Sequence, residues 1–549
     1  MHLVLIETSG NQAYIFATNK LRENVGASEL TYRVGTQWTL EAVAKAGGPK
    51  LLWQPGSKLR EALNDPKQNP PIENSEHSRV EVVVAASGKA LLLVRDRETA
   101  EAIVSEVTTR ALEEAPGLDV RGAVSRDFDW DGCSVAEALK NVHQRFELLR
   151  SRLPGPERRF QYLPVAAECV TSGLPAAAYD AKGNPPGPRS AVSLAKQCAA
   201  AVGLQRLHGP ARDGGTLELP WNTNDLEELG SEWLAVVHAD GNGLGQVFLS
   251  LDRAVRCDAS QTSAWNREYV NIMRSFSTAL DACTEAAFRD ALAGTHAIST
   301  KDHLRRIVPV VPLVVGGDDL TVVCDGKQAL RFAQTFLKSC EVHSSRCPEI
   351  VDTLQRVGPG SQESRATCVT GCAGIAIVKP HFPFYAAYQL AEQLLASAKK
   401  TAKDPKNLRA PWSALDFHIL YDASGPDLDR IRRSLLVDGG KTNLTARPFV
   451  VTDGAGEPGR RWQDLERWVT AIRENTLPRS MLNNLREGLF QGANAADYRL
   501  RLVRHRYQPQ GIDALLGDSN EQGSLFYTEE DGRRWTGFLD ALEASEFWG

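Results

Sequence analysis

One order of elements occurs twice in this 549-residue chain, and the duplication limits its possible folds more than any other feature. In the second copy Ile307 to Val315 is a β-branched run, Gly316-Gly317-Asp318-Asp319 a tight turn, and Leu320 to Cys324 a returning strand, which together predict a hairpin. Leu330, Ala333, Phe336 and Leu337 follow at the spacing of a helix laid on a sheet. In the first copy Arg79 to Val84, the turn Ala85 to Lys89 and Ala90 to Val94 repeat the hairpin, and Ala100, Ile103, Val104 and Val107 repeat the helical stripe. A glycine-containing apolar strand comes next in each, Leu118 to Val124 and Cys368 to Val378, and each copy opens with a strand leading into a helix, Leu3 to Ile6 and Leu234 to Val237. Strands followed by helices in this antiparallel order predict an α+β unit, present twice. The expected boundaries are 1–150 for the first unit, 151–228 for a Pro- and Gly-rich linker domain, 229–440 for the second unit and 441–549 for a helical carboxy-terminal domain.

The second copy carries the chemistry. Asp240 ends an apolar strand, and Asp318 and Asp319 occupy the turn of a neighbouring hairpin, so the three carboxylates are expected at one edge of the sheet. Phosphoryl transfer needs hard cations on carboxylate oxygens, and Mg²⁺ or Mn²⁺ is the expected cofactor, with Asp240, Asp318 and Asp319 as ligands. Gly241, Gly243, Gly316 and Gly317 would let backbone approach a phosphate, Asn242 would hydrogen-bond the substrate, and the helix after Gly243 would aim its N–H groups at the anion. Each motif taken alone also reads as an ordinary turn, since Asp, Asn and Gly are the commonest turn residues. Their joint placement on two strands of one unit favours catalysis. The first copy has Ala85-Ala86-Ser87-Gly88 at the corresponding turn and no metal-binding carboxylates there, so it is expected to be degenerate.

Asp240-Gly241-Asn242-Gly243, Gly316-Gly317-Asp318-Asp319 and Ala391 to Lys399 together resemble the palm domain of the CRISPR polymerase family, the large subunit of type III CRISPR effector complexes. Tyr14 to Leu30 resembles the start of that family's first palm, and the likeness extends to Arg447-Pro448-Phe449. The wider relatives are GGDEF diguanylate cyclases and class III adenylyl cyclases. The resemblance implies two ferredoxin-like, nucleotidyl-cyclase-like palm domains, with ATP or another nucleoside triphosphate converted in the second palm to a cyclic oligonucleotide. It also implies a triphosphate contact at Lys399 and, as partners, other CRISPR effector subunits and guide or target RNA. Many members carry a histidine-aspartate nuclease domain; no His is followed by Asp in this sequence, and a variant without that domain is expected. Two alternatives stay open: a silent nucleotide-binding scaffold subunit, and a diguanylate cyclase, against which Asp318-Asp319 lacks the usual acidic and aromatic continuation.

Zinc is not expected. Glu168 to Ala176 resembles half of the family's zinc knuckle, but Ser172 stands where a second cysteine would, and Cys198 does not complete four ligands. Of the other cysteines, Cys340, Cys347, Cys368 and Cys372, two fall in a predicted strand. Ten cysteines without close pairing, and an apolar amino-terminal run ending at Ile6, suggest a cytoplasmic protein with no membrane association. A net charge of −5 with interspersed signs leaves no broad basic footprint for long nucleic acid.

Overall fold

A computed structural model describes all residues except 52–56, 75–77, 184, 214–217, 259, 300–305, 358–365, 404–410, 422–426, 475–477, 508–522 and 530. The first unit begins with β1 (His2–Ser9), helix α1 (Leu21–Arg33) and the short helix α2 (Ser57–Asn64). The hairpin β2 (Val80–Ala86) and β3 (Lys89–Val94), helix α3 (Arg97–Glu114), strand β4 (Asp119–Val124) and helix α4 (Val135–Arg152) complete it. The second unit holds β5 (Leu234–Gly241), α6 (Leu244–Leu249), α7 (Thr262–Ala293), the hairpin β6 (Val310–Gly316) and β7 (Asp319–Asp325), α8 (Ala329–Ser345), β8 (Gly371–Val378) and α9 (Phe384–Ala402). Between the units runs α5 (Ala191–Leu207).

The two sheets share one topology. The first is ordered β2-β3-β1-β4, and the second begins β6-β7-β5-β8, each strand in the corresponding place. Both hairpins also carry a register shift at the same point, between Val82 and Val84 in one and between Pro312 and Val314 in the other. The fold is mixed α+β with two palm-like units, as the repeat predicts. The second sheet extends beyond β8 to β9 (Ala414–Ile419), which is parallel to it, and to the short β10 (Phe449–Val450).

The units interlock. Helix α1 of the first packs on β6 of the second, and α7 of the second packs on β2 of the first. One hydrophobic core therefore runs through both, joining Val4, Ile6 and Leu92 to Val236, Leu313 and Leu394. Phe16 stacks on Tyr388 across the join, with ring centroids 3.8 Å apart. Helix α5, in the segment expected only to link the units, enters this core through Val192, Ala199 and Leu204. It crosses α1 so closely that a Cβ on Gly26 would lie 1.7 Å from the Lys196 carbonyl oxygen, which only glycine avoids.

The carboxy-terminal region is helical as expected, with α10 (Trp462–Arg473), α11 (Arg479–Phe490), α12 (Ala493–Tyr507) and α13 (Phe538–Ser545), to which four two-residue strands add a small sheet. The sequence predicts a helical stretch over Arg460 to Asn475, of which Asn475 lies outside the described residues. Trp462, Leu465 and Trp468 continue the core of the second sheet, meeting Leu415 and Phe417. Arg447, fully buried, pairs with Asp540 at 2.8 Å and Glu543 at 3.1 Å, and donates to the Phe417 carbonyl. Its place in the sequence is thus explained by tying α13 to the second sheet. No helix among the described residues is long and apolar enough to cross a membrane.

Candidate active site

Strand pairing brings the predicted carboxylates together. Ala239 on β5 pairs with Leu320 on β7, so the next residues along, Asp240 and Asp319, stand opposite one another at the sheet edge. Gly316 pairs with Asp319 across a two-residue turn whose first central residue, Gly317, has φ +64, the region in which such turns favour glycine. Asp240, Asp318 and Asp319 each place one carboxylate oxygen so that all three lie within 4.8 Å of one another, the only such group of three or more metal-type side chains among the described residues. Gly241 backs this cluster: a Cβ there would come within 3.0 Å of the Asp318 Cβ and 2.6 Å of Leu244.

Crowding sets the electrostatics. Removal from water, and next the charge of Asp318, push Asp319 up to about 7, while burial raises Asp318 as well. Asp319 keeps an exposed flank, where solvent damps the effect. Such carboxylates suit a divalent cation, which would relieve their repulsion through oxygen ligands. Lys399, on the last turns of α9, forms an ion pair with Asp240 and lies 3.5 Å from the Gly241 carbonyl oxygen. Burial, and then the charge of Lys403, lower its pKa.

Not every predicted residue faces the site. Asn242 is buried; its amide donates to Thr370 Oγ1 at 3.2 Å and to the Trp412 carbonyl at 3.0 Å, and its oxygen accepts from Cys372 at 3.3 Å. It clamps the end of β5 to neighbouring chain, where a substrate contact was expected. Gly243 caps α6 with φ +70, but that helix has only six residues, too few for a strong dipole at the expected anion site. Gly316, at φ +149, sits 3.3 Å, measured from an added Cβ, from Asp281 Oδ1.

Asp281 belongs to a brace that sequence reasoning missed. Its Oδ1 accepts from the Gly317 N–H at 3.1 Å, and Thr284 Oγ1 donates to the Gly317 carbonyl at 2.6 Å, so one turn of α7 grips both faces of the turn's first peptide units. Arg60 of α2, in the first unit, reaches Asp281 and Glu285 at 2.7 Å each. The available signal was the spacing of Asp281, Thr284 and Glu285 at i, i+3 and i+4, which puts them on one face of α7 without any indication of what that face meets. His238, two residues before Asp240, was also missed; it is buried against Thr321 at 2.9 Å, and burial lowers its pKa to about 4.

The first unit keeps one carboxylate, Glu7, and replaces the other two with Gly88 and Lys89. Ala86 pairs with Lys89 as Gly316 pairs with Asp319, and Glu7 pairs with Lys89 where Asp240 faces Asp319. Glu7 and Lys89 form an ion pair at 3.1 Å. The carboxylate cluster of one palm is thus replaced in the other by an ion pair.

Residues 233–408 match the family model described as Cas10/Cmr2, second palm domain. No curated protein matches the sequence. Among solved structures, Csm1 in T. onnurineus is 13% identical with a TM-score of 0.44, over 100% of this chain and 69% of that one. A Csm1-Csm4 cassette in complex with pppApApA is 14% identical with a TM-score of 0.44 over the same shares. The cassette in complex with cA3 is 14% identical with a TM-score of 0.36, over 73% of this chain and 53% of that chain, so this chain spans about half the length of that relative. Residues 233–408, which hold Asp240, Asp318, Asp319 and Lys399, are thus the part of the chain that is similar to the second palm domain of Cas10/Cmr2.

Proposed function

We propose that the chain is a nucleotidyltransferase that converts ATP, or another nucleoside triphosphate, into a cyclic oligonucleotide signal in CRISPR-type antiviral defence. The observation that carries this reading is the convergence of Asp240, Asp318 and Asp319 from two adjacent strands onto one point. In each joining step a 3′-hydroxyl oxygen bonds the α-phosphorus of a second triphosphate, the bond from that phosphorus to the β-phosphate oxygen breaks, and pyrophosphate leaves as the hydroxyl proton is lost to solvent. Mg²⁺ or Mn²⁺ held by the three aspartates would supply activation of the hydroxyl and charge stabilisation of the pyrophosphate. Lys399 would leave Asp240 to meet the triphosphate, and the brace from α7 would hold the turn still. Other effector subunits and guide or target RNA are the proposed partners, the RNA acting through the assembled complex.

Pyrophosphate release from each of the four triphosphates, with Mg²⁺ or Mn²⁺ and mass spectrometry of products, tests the reading. Asp318→Asn/Asp319→Asn and Asp240→Asn should each abolish product. Turnover in the double variant at the parent rate would remove the metal assignment, and a GTP-only product would move it to the diguanylate class. The contact between Lys399 and Asp240 is the one observation that favours a silent scaffold, because an amine there neutralises a ligand as a cation would. Triphosphate binding without pyrophosphate release in any assembly would establish that alternative.

A further inference from the structure

A cavity of about 560 Å³ opens between the start of α1, the segment with a knuckle-like sequence and the residues preceding β5. It is remote from the carboxylates. Asn19 on its rim accepts from the Tyr385 N–H at the start of α9, whereas Lys399 near the end of that helix holds Asp240, about 20 Å further along at 1.5 Å per residue.

Its lining is charged and incompletely satisfied. Lys20, Arg22 and Lys182 are exposed at the rim, and Arg189, 1% exposed, forms part of the floor. Arg189 Nη2 donates to the Pro185 carbonyl at 2.6 Å and Nε lies 3.9 Å from Asp180, but Nε and Nη1 have no hydrogen-bond partner. Beside it Glu23, equally buried, accepts through Oε1 from Thr171, Ser193 and Gln197, while Oε2 accepts from nothing. Buried polar groups are almost always paired, and a guanidinium with two free donors is built for an oxyanion.

We propose that this cavity binds a nucleoside phosphate, with phosphate oxygens on Arg189 and the rim cations and a sugar hydroxyl or base amino group donating to Glu23 Oε2. A bare anion would leave that oxygen unpaired and would be repelled by it; a ligand with phosphate at one end and donors at the other satisfies both. The volume suits one small ligand, and the side chains of Gln197 and Asn222 also line it. The site needs no catalytic metal and stands independently of turnover at the aspartates.

Equilibrium dialysis of radiolabelled ATP against full-length Asp240→Asn/Asp318→Asn/Asp319→Asn protein in EDTA removes metal-dependent binding at the carboxylate site, and the cavity variants assign what remains. Binding should persist in this background, weaken at least tenfold with Lys20→Ala/Arg22→Ala/Lys182→Ala, and weaken also with Arg189→Gln. Unlabelled ATP should compete better than inorganic phosphate or adenosine. The rim variants alter exposed side chains only, so they report on binding even if Arg189→Gln does not fold. Absence of binding in EDTA, unchanged affinity in the rim variant, or phosphate competing as well as ATP would each overturn the proposal.

Discussion

Asp318 and Asp319 sit side by side on a glycine-made turn, and the cost of that arrangement falls on the metal-free protein. With the Asp319 carboxyl pushed up to about 7, the folded state keeps a proton that the unfolded chain releases near the ordinary carboxylate value of about 4. The stability tied to that proton is present below about 4 and is lost as pH rises through about 7, because there the folded state must ionise a crowded group. Asp318→Asn/Asp319→Asn removes the repulsion. In EDTA the parent should therefore lose more thermal stability than the double variant between pH 5 and pH 8, and Mg²⁺ at pH 8 should narrow the gap. Equal pH slopes in the two proteins would show that crowding of these carboxylates does not reach stability. The three aspartates were legible in the sequence because strand-end and turn positions declare themselves by residue type. The fate of Asn242 was not, since its partners Thr370, Cys372 and Trp412 are distant in the chain and only strand pairing brings them near.

At the level of elements, the aspartate-bearing hairpin is held from outside its own strands. Asp281 and Thr284 bind the N–H and the carbonyl of Gly317, and Arg60 holds Asp281 from the other unit, so the position of the turn depends on where α7 lies. Misplacing reacting groups by about 1 Å can cost two orders of magnitude in rate. Asp281→Ala should lower kcat about tenfold or more with little change in KM, and should cost about 1–2 kcal/mol in unfolding free energy for the lost hydrogen bond and ion pair. Arg60→Ala should act in the same direction more weakly, since Asp281 keeps its bond to the turn. An unchanged kcat in Asp281→Ala, measured by pyrophosphate release, would reduce the brace to packing. Sequence periodicity located both hairpins and the helices after them, but it was blind to the matched bulges, because an extra residue in one strand shows only against its partner.

Across the whole molecule, two palm-like units of one topology differ in the charged groups at the sheet edge. Asp240 faces Asp319 in one, and Glu7 is paired with Lys89 in the other. A joining reaction needs one place for the metal-bound donor and another for the acceptor whose 3′-hydroxyl attacks in line. We propose that the first palm supplies the acceptor side and helps exclude water, so that each chain carries one asymmetric site. The continuous core through both palms, and the reciprocal packing of α1 on β6 and α7 on β2, support a fixed relation between them of the kind such a site requires. The sequence announced the duplication but not this interlock, because α5 lies in a segment whose Pro and Gly content disguised a helix filled with Ala and Leu. If both halves of the site come from one chain, turnover per chain should stay constant on dilution through any plausible dimer affinity, and an inactive Asp318→Asn/Asp319→Asn chain should neither rescue nor poison the parent when mixed with it. A rate that falls with the square of protein concentration would show instead that two chains must meet, with the first palm serving only as packing.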